Sequence, residues 1–103
     1  MTKVYDRLWY KHGLTDDDLS MLQNALMTNP MIGDIIKGTN GARKMRFSLP
    51  DTGKSSGIRI IYIDITHRQQ VYLILCYPKN RQDNLTLEQK KQVRALVKAL
   101  KGV

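Results

Sequence analysis

Three groups of cations punctuate the middle of the chain: Lys44 with Arg46, Arg59 just after Lys54, and Lys79 with Arg81. Side chains of these types, brought onto one surface, would hold a phosphodiester backbone. On RNA they could do more, because RNA carries its own nucleophile in the 2′-hydroxyl. Cleavage needs a base for that proton, charge stabilisation for the pentacoordinate phosphate and an acid for the leaving 5′-oxygen. A histidine pair is the usual device, and His12 and His67 make no convincing pair. Crowded lysines can substitute, since each neighbouring cation lowers the pKa of the others. Arginine stays charged and clamps phosphate with two parallel hydrogen bonds. From the residues alone, phosphate binding leads, with catalysis and a plain solvated face both left open.

The segments around these cations say how they must be carried. In "GARKMRFSL", residues 41–49, Arg43, Met45, Phe47 and Leu49 fall on one side at period two and Ala42, Lys44, Arg46 and Ser48 on the other. This predicts a strand with one face in the core and one cationic face. "IRIIYIDI" is β-branched and apolar on both faces, as a central strand should be, with Arg59 its exception. The short turn "THRQQ" leads to "VYLILCY", so the two strands should form an antiparallel hairpin. Residues 42–49, 58–65 and 71–77 are therefore expected as neighbours in one sheet, with Lys54, Arg59 and Lys79 at one end of it.

Two helices should pack on that sheet. Thr15 is a good N-cap for residues 15–28, and Asp16, Asp17 and Asp18 suit the positive end of the helix dipole better than a metal site. Leu19, Leu22, Ala25 and Leu26 make its apolar stripe, and Pro30 stops it. Near the C-terminus, Thr86 and Gln89 form a capping box, and Val93, Leu96, Val97 and Leu100 the stripe. "TKVYDRLWY" is read as a short opening strand or an irregular lead-in, with Trp9 packed. "NPMIGDIIKGTNG" is bounded by turn residues. "GKS" in the loop "LPDTGKSSG" is not a phosphate-binding loop, because the first glycine of that motif would fall at Ser48 and a strand follows.

Composition narrows the partners. The chain has 103 residues, which favours one domain over 1–103, and 42% are hydrophobic, which makes it globular. The net charge of +8 is uneven: residues 1–36 hold three basic and five acidic side chains, the remainder fourteen and four. Such asymmetry suits a polyanion. One cysteine, Cys76, forms neither an intrachain disulfide nor a zinc cluster, and its place in an apolar strand makes it core. No metal or cofactor is expected. Nor is a membrane span or signal peptide, so the expected location is the cytosol. His67 should be a solvated turn residue, and Tyr77, before Pro78, either stacks on a base or caps the core.

Over about residues 26–98, "NPMIGDIIKGTNGARKMRFSL", "GKSSGIRIIYIDI" and "VYLILCYPKN" resemble, in order and spacing, the RelE superfamily of bacterial toxins, closest to the HigB-like branch. The resemblance implies a compact α/β (α+β) fold with a central antiparallel sheet and packed helices. It implies a toxin that enters the ribosomal A site and cuts messenger RNA there, with a cognate antitoxin, helix-turn-helix in HigB-like (HigA-paired) systems. The family's functional cations match Lys44, Arg46, Arg59 and Lys79, with Arg43 and Lys54 as neighbours. Lys44, Lys54 and Lys79 are then the acid/base candidates, Arg46 and Arg59 the charge stabilisers, and Arg43, Tyr77 and Arg81 further contacts to RNA. The chain departs from the family in "NRQDNLTLEQKK", which lacks the tyrosine that in RelE stacks on the substrate base. ParE-type members share the fold but inhibit gyrase. A basic RNA-binding module is the third reading.

Overall fold

A computed structural model describes residues 14–47, 57–65, 70–78 and 84–102. In chain order the elements are α1 (Asp16–Thr28), β1 (Asp34–Ile35), β2 (Arg43–Phe47), β3 (Ile58–Ile65), β4 (Gln70–Pro78) and α2 (Leu87–Lys101). The opening "TKVYDRLWY" with Trp9, the loop holding Lys54, the turn holding His67, and Lys79 and Arg81 lie outside the described residues, as do Ser48 and Leu49.

Both helices begin where their capping chemistry dictates. Thr15 Oγ1 accepts the Asp18 N–H at 3.2 Å, and Asp18 Oδ2 accepts the Thr15 N–H at 3.0 Å. Thr86 and Gln89 repeat the exchange at 3.1 and 3.0 Å. Each box satisfies two of the backbone donors that a helix start leaves open. Asp16 to Asp18 stand in the first turn of α1, as the dipole argument requires. Gly102 closes α2 in the left-handed conformation, where a side chain would be strained.

The strands form one antiparallel sheet in the order β1-β2-β3-β4. β1 is an addition to the expected strands, a two-residue edge hairpinned to the start of β2. Thr39 fixes its turn: the buried hydroxyl donates to the Ile36 carbonyl at 2.7 Å and accepts the Ala42 N–H at 3.1 Å.

Two apolar layers sandwich the sheet. On one face Phe47, Ile58, Ile60, Tyr62, Leu73 and Cys76 pack with Leu22 and Leu26 of α1. On the other, Ile61, Ile63, Ile65 and Ile74 pack with Val93 and Val97 of α2, and with Tyr77 and Leu85. Burying one such side chain is worth roughly 1.5–3 kcal/mol. β4 slips by one residue against β3: Ile61 pairs with Leu75 and Tyr62 with Leu73, so Ile74 is extra. The bulge lets Cys76 and Leu73, three residues apart, face the same core.

Candidate functional site

β2 and β3 carry the cations on the α2 side of the sheet. Arg46 pairs directly with Arg59, and Arg59 in turn with Tyr77 of β4, so the three form one row across three strands. One step along, Lys44 pairs with Ile61. Like charges set directly opposite cost stability, on the order of 0.2–1 kcal/mol.

Each side chain has a distinct seat. Arg46 is exposed, and its stem lies over Gly57: a Cβ at Gly57 would stand 2.8 Å from Arg46 Nε and 2.9 Å from its Cγ. The glycine before β3 is therefore the space that Arg46 occupies. Arg59 is half-buried, with its Nε enclosed. Lys44 is half-buried, and its Nζ donates to Asn84 Oδ1 at 3.3 Å, which anchors the ammonium beside the segment leading into α2.

A groove of about 360 Å³ opens next to this row, lined by Lys44, Ile61 and Tyr77 from the sheet, Lys37 from the β1–β2 turn, and Asn84 and Lys90 at the start of α2. Tyr77 is only 6% exposed. Of the two roles expected for it, the ring fills the core and walls the groove; it offers no open platform for stacking.

Of the eight predicted site residues, the structure brings Lys44, Arg46, Arg59 and Tyr77 together. Arg43 is on the opposite face, where its Nη1 donates to the Gly33 carbonyl at 2.7 Å and holds the turn after α1. Period-two alternation had already put Arg43 with Met45 and Phe47. Lys54, Lys79 and Arg81 lie outside the described residues. Cys76 is wholly buried and burial pushes its thiol up to about 12, so it is core and no nucleophile at neutral pH.

Lys37, Asn84 and Lys90 were missed by the sequence reading. Lys90 did leave a signal: it precedes Val93 by three residues and Val97 by seven, which puts a cation on the helix's apolar stripe. Lys37 and Asn84 left none, because each sits in an ordinary polar turn.

A family model described as the RelE toxin of the RelE / RelB toxin-antitoxin system matches residues 1–103.

Proposed function

The chain belongs to the RelE toxin family, within the RelE/ParE superfamily of toxin–antitoxin proteins, and on that premise we propose that it is a ribosome-dependent endoribonuclease of the HigB-like branch that cuts messenger RNA in the A site. The observation that carries the reading is the opposed pair Arg46 and Arg59 with Lys44 alongside. It puts two permanent charges and one proton-bearing group on one face of the sheet; the charges suit a pentacoordinate phosphate, and the second proton-transfer group would come from Lys54 or Lys79.

In the proposed reaction the 2′-hydroxyl attacks the adjacent phosphorus. The new bond runs from O2′ to phosphorus and the bond from phosphorus to O5′ breaks, leaving a 2′,3′-cyclic phosphate and a 5′-hydroxyl. Arg46 and Arg59 stabilise the charge on the non-bridging oxygens. Lys44, Lys54 and Lys79 supply the base and the acid. A lysine site is a weak acid/base device, so the ribosome contributes the in-line geometry, an orientation effect that can be worth several kcal/mol. An antitoxin partner comes with the family; a helix-turn-helix, HigA-like antitoxin follows from the proposed branch.

The test mixes purified protein with messenger RNA, free and on programmed ribosomes, with and without chelator. Cleavage on ribosomes, little on free RNA, cyclic-phosphate ends and indifference to chelator beyond its effect on the ribosome are expected. Gyrase inhibition without ribosome-dependent cleavage would replace this reading with the ParE type. Tight, salt-sensitive RNA binding without any cleavage would leave only a binding module.

A further inference from the structure

We infer that the groove beside the cationic row is a nucleotide subsite, in which Lys37 and Lys90 hold a phosphate of the RNA strand next to the one being cut. The inference rests on the endoribonuclease reading and extends it to residues outside the proposed chemistry. Three lysines, Lys37, Lys44 and Lys90, and no carboxylate stand among the nine described residues that line the groove. A concave surface of one sign focuses its field and concentrates anions. Lys90 belongs to the first turn of α2, whose dipole adds partial positive charge at that end.

The rest of the lining is suited to a nucleoside. Ile35, Ile36, Ile61, Leu85 and Tyr77 give an apolar wall, and the Asn84 amide already meets Lys44. A volume near 360 Å³ lies at the small end of ligand sites, the scale of one nucleotide and not of a folded partner. Lys44 lines the groove and pairs beside the Arg46–Arg59 row, so it joins the two. The strand that presents its scissile phosphate to the row would lay an adjacent nucleotide in the groove.

The probe is a 5′-fluorescein 2′-O-methyl RNA 12-mer, which lacks the nucleophile and cannot be cut. Binding is followed by anisotropy across a salt series. Lys37→Ala/Lys90→Ala should weaken binding about tenfold and flatten the slope of log K against log salt by about 0.7, one single-strand phosphate. Lys37→Arg/Lys90→Arg should restore both. On programmed ribosomes the alanine pair should raise the half-saturating concentration and leave kcat within about twofold. An unchanged salt slope, no recovery with arginine, or a loss that falls on kcat would overturn the subsite. So would equal weakening toward a polyglutamate of the same length, which would make the groove a seat for an acidic protein segment. Arg59→Ala separates the two levels. If it stays fully active while the alanine pair loses its phosphate, the chemistry assigned to the row falls and the subsite stands; if it is inactive and the slope is unmoved, the subsite falls and that chemistry stands.

Discussion

The two faces of the sheet are built from alternate residues of the same strands, yet they end differently. On the α1 face the apolar layer runs from Tyr62 through Ile60 to Ile58 along β3, and with Phe47 on β2 it reaches the end of both strands. Arg43, the one cation on its strands among the described residues, is tied to the Gly33 carbonyl. On the α2 face Ile65, Ile63 and Ile61 are covered, and the next position along β3 is Arg59, opposite Arg46. At this end of the strands the α1 face stays apolar, its acidic position Asp64 lying at the opposite end of β3. On the α2 face the apolar run along β3 ends at Ile61, and charge takes the next position, flanked by the buried Tyr77. The contrast teaches that the candidate site lies where the apolar run of a core layer gives way to charge, and that the same substitution should cost stability on one face and, if the proposed function holds, rate on the other.

The largest test of that contrast is Arg59→Ala. Cleavage on programmed ribosomes should fall roughly 10²- to 10³-fold, the loss typical of removing one charge-stabilising donor, with the circular dichroism spectrum and melting temperature nearly unchanged. Loss of folding with it would assign Arg59 to the core and erase the contrast. Tyr62→Phe is the counterpart on the other face. Its hydroxyl donates to the Pro30 carbonyl at 2.7 Å and accepts the Gly33 N–H at 2.9 Å. Removing it strands both groups and should lower stability by about 2 kcal/mol, seen in denaturant titration, while cleavage per folded molecule stays at the wild-type rate.

Gly57→Ala sharpens the comparison at a residue with no side chain of its own. The added methyl collides with the Arg46 stem and should reduce cleavage about tenfold. In an Arg46→Ala background it should cost little further, because only the Phe47 carbonyl, 3.3 Å from the added carbon, still stands close. Additive losses in that cycle would show that Gly57 acts through the strand backbone instead.

The smallest effect is alkaline. Burial raises the pKa of Tyr62 above its ordinary 10.0, opposed in part by the Gly33 N–H and Arg43, and pushes Cys76 up to about 12 from 9.0. Both groups keep their protons in the folded state at a pH where the unfolded chain has released them. Stability is therefore full below about pH 9 and falls as pH rises toward 12. Cys76→Ala should flatten the early part of that fall in chemical denaturation at stepped pH; an unchanged profile would mean that the thiol is not shielded as its burial implies.

Much of this is legible in the sequence. Capping boxes are local, so Thr15 with Asp18 and Thr86 with Gln89 announced both helix starts. Alternation in "RKMRF" is local too, and it already separated Lys44 and Arg46 from Met45 and Phe47. It also put Arg43 on the wrong side for the row, although the family resemblance had drawn it in. Where periodicity carried no information, the structure was needed. "VYLILCY" is apolar throughout, so a one-residue slip at Ile74 changes no visible pattern, yet that slip fixes which of its residues meet α1 and which meet α2. β1 escaped for a different reason: two residues are too few to show a period.

The sequence by itself determined which residues cap, which alternate and which are charged, because those properties are set within a few residues along the chain. It therefore determined that Lys44 and Arg46 face away from Met45 and Phe47. Only the tertiary structure decided that Arg46 stands opposite Arg59, that Gly57 leaves room for it, and that Lys37, Lys44, Asn84 and Lys90 line one groove. Those meetings join positions up to fifty-three residues apart, and they depend on strand register and on how far α2 covers the sheet. Both are outcomes of minimising exposed apolar area over the whole chain, which no local stretch encodes.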